Sequence, residues 1–217
     1  MPLKKFAVTP GFGVGGTLFQ PQQLALLGEI VGDDAQIEMT PFKQLYVAVE
    51  EEKLEDIKAQ LRTAGLDIQE ACFYTKNLIA CNFCRGEQEA GLDIAKTLDR
   101  AVAGHPVPSP IKIGYAGCAL GTSEPLLKDI SVVKMRDTFD LYVGGEAKGL
   151  KARLAKLLFS GLTADQLTPV LMRLIQDYQQ NGKKKETYAR YTDRITLDRL
   201  RNHSRNGRER HEDHFNR

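Results

Sequence analysis

Several things are missing from this chain, and each absence removes a class of protein. No apolar run approaches the roughly 18–20 residues that span a bilayer, so a membrane-spanning helix is not expected. The opening MPLKKFAVTPGFG has two lysines but no apolar core of the kind a secretory leader needs. The expectation is therefore a reducing, cytoplasmic setting, in which cysteines serve as thiols or metal ligands rather than disulfides. There is no internal repeat and no defensible flavin or nicotinamide module. The C-terminal stretch is basic, with eleven Lys or Arg against six Asp or Glu in residues 183–217. It has few interleaved aromatics and no recognition motif, so it reads as a solvated end and not as a nucleic-acid surface. His211 and His214 stand three apart in that polar stretch and read as solvated. What remains is ordinary for a soluble globular protein: 42% hydrophobic, 27% charged, net charge +2 over 217 residues.

Gly11, Gly13 and Gly16 formally spell the dinucleotide fingerprint, but the context is wrong. In that motif the last glycine opens the phosphate-binding helix. Here Thr17–Gln20 intervene, and Pro21, whose fixed φ suits a first turn, starts the helix. The glycines read as a flexible loop, or as a loop lying against a cofactor.

Apolar periodicity predicts helices over Gln22–Val31 and Leu54–Ala64, the second capped by Gly65, with strands at Gln36–Met39 and Leu45–Val49 between them. The order helix–strand–strand–helix suggests a small α+β half-domain of the split βαβ type, residues 1–68. A second domain, residues 69–200, begins with a strand over Ala71–Ala80 and a helix over Gln88–Val102. Strands follow at Lys112–Tyr115, Ile130–Val133 and Leu141–Val143. Helices are predicted over Lys151–Phe159, Asp165–Gln180 (capped by Thr163) and Asp193–Arg201. Residues 201–217 form a basic tail. The fold class is α+β.

The chemistry concentrates in Thr75–Leu92 and Lys112–Asp129. Three of the four cysteines, Cys81, Cys84 and Cys118, lie there. Two close thiols and a distant third beside glycine read as ligands for an iron–sulfur cluster or zinc. A single C-x-x-C is weak evidence for a structural zinc site, which usually carries two such pairs. Cys72 fits buried apolar packing best. His105, alone among prolines, reads as an exposed loop residue.

The stretches TKNLIAC, KIGYAGCALGTSEPLLKDISVV and DLYVGG resemble siroheme-dependent nitrite and sulfite reductases. So does the tail YQQNGKKKETYARYTDRITLDRL, and upstream QPQQLALLGEIVGDDAQIEMTPFKQLYV with LEDIKAQLRTAGL resembles that family's ferredoxin-like half-domain. The resemblance covers nearly all of residues 14–201. It implies a 4Fe–4S cluster beside siroheme, reduction of a small oxyanion, and electrons from a separate donor protein. Within the family pattern Cys81 matches the first cluster cysteine and Cys118 the third. Cys84 matches the second across a shortened loop. Thr122 stands at the fourth position, where a hydroxyl is a poor ligand for a soft cluster. Lys76 and Lys112 match cationic positions that hold substrate anion or siroheme carboxylates, with Lys43 and Arg85 as further charges. The alternatives are a non-catalytic accessory module on the same scaffold, or a zinc-site protein. One half-domain with an open sheet edge is expected to complete itself as a homodimer.

Overall fold

The computed structural model describes residues 2–13, 18–148 and 152–205. Two sheets organise the chain. The first contains β1 (Leu3–Pro10), β2 (Gln36–Met39), β3 (Leu45–Glu50) and β4 (Leu66–Glu70), in the order β2-β3-β1-β4 and antiparallel throughout. Helices α1 (Pro21–Val31) and α2 (Leu54–Thr63) cover one face. Alternation explains how. Phe6 and Val8 of β1 and Val47 and Val49 of β3 point to the helices, where they join Leu27, Ile57, Leu61 and Leu66 in one buried cluster. β1 and β4, which the periodicity did not reveal, occupy the centre and one edge of this sheet.

The second sheet runs β5 (Ile79–Ala80), β6 (Ile113–Ala116), β7 (Ile130–Met135), β8 (Thr138–Val143) and β9 (Lys156–Leu162) in sequence order. The first three strands are parallel and the last two antiparallel. Every residue of β6 is buried, as expected for a parallel strand covered on both faces. The short α3 (Glu87–Ala90) leads into α4 (Leu92–Val102), which inserts Leu92, Ala95, Leu98 and Val102 into the larger core. α5 (Ala164–Asn181) adds Leu167, Leu171, Leu174 and Ile175. Before α5 the Thr163 amide donates to Gln166 Oε1 at 3.1 Å, half of a capping box. α6 (Tyr188–Ile195) and α7 (Leu197–Arg205) close the unit. Tyr188 and Tyr191 of α6 pack their rings on Tyr178 of α5, at centroid distances of 5.1 and 5.0 Å.

Four expectations are corrected. Lys156–Leu162 is a strand and not part of a helix, because pairing with β8 (Leu141 opposite Phe159, Tyr142 opposite Leu157) outweighs the apolar spacing that suggested a helix over 151–159. Only Ile79–Ala80 of the stretch 71–80 pairs as strand. Cys72, at φ 66°, breaks the extension, and the segment is tied instead to the loop before β6 by Thr75 N to His105 O at 2.7 Å and Val107 N to Phe73 O at 2.8 Å. Cys72 is exposed, so it is not a packing thiol. The single helix over 193–201 is two helices, interrupted at Thr196, whose φ of 75° cannot continue a helix. His211, His214, most of the basic tail and Gly16 lie outside the described residues. Among the described residues no helix is long and apolar enough to cross a membrane.

A polar network joins the two units. Asn77 Oδ1 accepts from Gln44 Nε2 at 2.8 Å and Gln69 Nε2 at 2.7 Å, both from the first unit. Asn77 Nδ2 donates to Asp99 Oδ2 at 2.9 Å, and Asp99 Oδ1 accepts the Leu78 amide at 2.7 Å. Gln44, Asn77 and Asp99 are all buried.

Candidate functional site

Parallel pairing decides where the thiols go. Ile79 opposes Gly114 and Ala80 opposes Tyr115, so β5 and β6 end side by side. Cys81 continues the ladder by one bond, its amide donating to Tyr115 O at 3.1 Å. Cys118 follows the neighbouring strand end by two residues. The chain then turns at Phe83 (φ 52°), with Gly86 N bonded to Phe83 O at 2.9 Å, and this turn carries Cys84 and Arg85 back over the same end.

One hollow results, lined by Cys81, Cys84, Arg85, Cys118 and Thr122 among small residues and the ring of Phe83. Cys81 is buried, Cys118 partly buried, and Cys84 exposed. The Gly117 amide donates to Cys81 Sγ at 3.2 Å, which fixes the sulfur's position. Phe83 stacks on Tyr115 at 6.0 Å, and Tyr115 O–H donates to Ala90 O at 2.8 Å, fixing the wall of the hollow. Arg85 also pairs with Glu89 at 3.6 Å on the surface. Thr122 is exposed. The hollow is tight: the centre of a water-sized sphere has about 10 Å³ to move in.

The hollow gathers three thiols, the donor type of an iron–sulfur cluster. Its thiols surround a common space, and soft thiolates are the ligands such clusters take. Thr122 hydroxyl offers no comparable fourth ligand. Among the described residues, no group of three His, Cys, Asp or Glu stands close enough to hold a single metal ion.

The lysines lie elsewhere. Lys76 and Lys112 precede the strands that the thiols follow, so the four residues of β6 alone put roughly 13 Å between Lys112 and the thiol end. Lys76 is buried, donates from Nζ to Glu70 O at 2.5 Å, and stands 5.6 Å from the Tyr46 ring centre. Burial pushes its ammonium down to about 8. Lys112 Nζ lies 5.7 Å over the ring of Phe42, next to Lys43, whose exposed turn has φ 56°. Burial, then the ammoniums of Lys148 and Lys128, lower the Lys112 pKa. Neither Lys76 nor Lys112 is among the residues lining the thiol hollow. Asp129, beside Lys112, was missed by sequence reading. Its signal is only its place directly before β7.

Gly117 is a point of close approach. A Cβ there would lie 2.5 Å from Ala90 Cβ and 2.9 Å from Ala90 O, so Gly117→Ala must displace backbone at the edge of the hollow. The expected cost is about 1–3 kcal/mol of stability, read by denaturant unfolding. Iron per chain after anaerobic reconstitution should fall at least several-fold. Parental iron content in the variant would show that the hollow tolerates the shift.

The architecture matches a known fold before any sequence match is considered. It superposes on the crystal structure of dissimilatory sulfite reductase I with a TM-score of 0.72 at 12% identity, over 93% of this chain and 69% of that one. The model of the nitrite and sulphite reductase 4Fe-4S domain matches residues 75–210, more than half of the chain, and the chain belongs to that family. An assimilatory-type sulfite reductase of Nitratidesulfovibrio vulgaris is 22% identical over 156 residues, covering 71% of each chain. A cobalt-factor III methyltransferase of Priestia megaterium is 26% identical over 200 residues, 87% of this chain. This chain spans only 34% of that relative's length.

Proposed function

We propose that this chain is a cluster-carrying redox protein of its family, with Cys81, Cys84 and Cys118 holding a 4Fe–4S cluster by three thiolates. The reading rests on one observation above all: thiols from two distant segments line one hollow at the ends of two parallel strands. Cluster and siroheme together would supply, respectively, stored electrons and the iron that binds a small oxyanion, with the electrons arriving from a separate carrier. The chain's own part is to aim the three thiols, to hold Cys81 Sγ in place through the Gly117 amide, and to leave the fourth side to Thr122. Arg85 adds a positive charge at the rim. Residues 1–68 act as the ferredoxin-like half-domain and 69–200 as the cofactor domain. The exposed Ile37 and Met39 on the edge strand β2 suit cover by a second copy.

A second reading has its own support. The relatives include a methyltransferase as well as a reductase, so the shared segment serves as a module in proteins of different activity. In that case the chain is an accessory domain that keeps the scaffold without the reduction.

Anaerobic purification separates the two. A brown protein with iron and acid-labile sulfide, and siroheme bands in its visible spectrum, is the expected result. Folded, colourless protein that takes up neither iron nor sulfide on reconstitution would leave the accessory reading.

A further inference from the structure

Three tyrosines are enclosed where α5 and α6 meet: Tyr178, Tyr188 and Tyr191 are each 0% exposed. Their rings touch one another, with centroids 5.1 Å apart for Tyr178 and Tyr188, 5.0 Å for Tyr178 and Tyr191, and 5.8 Å for Tyr188 and Tyr191. None of them lines the thiol hollow. Core packing accounts for the rings. It does not account for how differently the three hydroxyls are placed.

Tyr178 Oη donates to a backbone carbonyl, Glu186 O, at 2.5 Å. Tyr188 Oη has no hydrogen-bond partner among the described residues. Tyr191 Oη donates to a carboxylate, Asp177 Oδ2, at 2.5 Å, the short end of the range for a hydroxyl on an ionised acceptor. The other oxygen of Asp177 accepts from Asn181 Nδ2 at 2.9 Å and lies 3.0 Å from Nδ1 of His203, an exposed residue of α7. One phenol of the three therefore rests on a base, and that base has a way out to solvent. Burial, then the bond to Asp177, raise the Tyr191 pKa, so at rest the proton stays on the tyrosine.

A phenol that loses one electron becomes a strong acid, and the loss is uphill unless its proton leaves in the same event. A backbone carbonyl only accepts a hydrogen bond, whereas a carboxylate can take the proton itself. An oxidising equivalent that reaches any of the three rings therefore comes to rest on Tyr191. Net charge around the ring does not make that choice. The guanidiniums of Arg194 and Arg199 oppose the Asp177 carboxylate, and Arg194 is itself tied to Glu186 by bonds of 2.8 and 2.7 Å. Arg194 is exposed and lies 5.4 Å over the Tyr191 ring, so the ring sits one side chain below the surface, within reach of an electron acceptor in solution.

We propose that Tyr191 is a redox-active residue, giving one electron to a one-electron oxidant and its hydroxyl proton to Asp177. The Tyr191 O–H bond breaks, an Asp177 O–H bond forms, the oxidant is reduced by one electron, and a neutral tyrosyl radical remains. His203 passes the proton on to water. A one-electron donor restores the tyrosine, the proton returning by the same route. The site uses no thiol and no bound group, so it stands or falls separately from the cluster reading.

The test mixes the metal-free full chain with hexachloroiridate(IV), a one-electron oxidant, in excess over the four cysteines, and freezes the mixture for electron paramagnetic resonance. The expected result is the spectrum of a neutral tyrosyl radical. Tyr191→Phe, which keeps the ring, should cut its yield about tenfold, and Asp177→Asn, which keeps an oxygen for the hydroxyl but removes the base, should slow its formation about a hundredfold. Tyr142→Phe, at a partly exposed position on β8, should leave the signal unchanged. Circular dichroism checks that each variant is folded. A parental yield in folded Tyr191→Phe, a parental rate in Asp177→Asn, or no tyrosyl signal from the parent would overturn the proposal.

Discussion

Cys118→Ser should yield a folded protein that has lost its cluster, while Cys72→Ser should be indistinguishable from the parent. The contrast follows from position. Cys118 stands two residues past the end of β6 and faces the same hollow as Cys81 and Cys84. Cys72 is exposed and lies in the segment linked to the first sheet, where its amide approaches Tyr46 Oη at 3.4 Å. With Thr122 already a poor fourth ligand, removal of a third thiolate leaves two, too few to hold a cluster against solvent and chelators. The measurement is iron and sulfide per chain after anaerobic reconstitution, with circular dichroism to show that folding is intact. A drop of at least tenfold is expected for Cys118→Ser, with no change for Cys72→Ser. Equal losses in both variants, or in neither, would contradict the three-thiol assignment.

The largest stability effect is expected at Asp99. Its two oxygens accept from Asn77 Nδ2 and the Leu78 amide, in a site where Asp99, Asn77 and Leu78 are at most 5% exposed. Burial raises its pKa against those two bonds. Asp99→Ala strands both donors, each at a cost of about 1–3 kcal/mol, so a loss of roughly 2–5 kcal/mol is expected in urea unfolding. Because Asn77 also receives Gln44 and Gln69, the loss reaches both units. Arg100→Ala, on the next residue of α4 but exposed, should stay within about 0.5 kcal/mol. If Asp99→Ala cost no more than Arg100→Ala, the network would be an incidental contact and not the joint between the sheets.

The legible part of this fold was the part written in local periodicity. α1, α2, α4 and α5 each carry apolar residues at helical spacing, and β7 and β8 are apolar runs bounded by turn residues. β1 and β4 were hidden for a different reason. Leu3–Pro10 contains a lysine pair and a terminal proline, and Leu66–Glu70 has two acidic residues in five, so their strand character comes from pairing, β1 with both β3 and β4, and β4 with β1. β9 was lost to the same effect in reverse. For the candidate site, the thiols could be gathered from sequence because each follows a strand. The lysines could not be placed, since nothing in a linear reading says that residues before and after a parallel strand sit on opposite ends of the sheet.

The register of β5 on β6 has one further consequence. Each sulfur is anchored by a count from the last rung of its own strand, one step for Cys81 and two for Cys118. Linker lengths elsewhere can drift without moving either anchor, whereas a single residue inserted into β6 would swing Cys118 to the opposite side of the pleat and dismantle the nest at once.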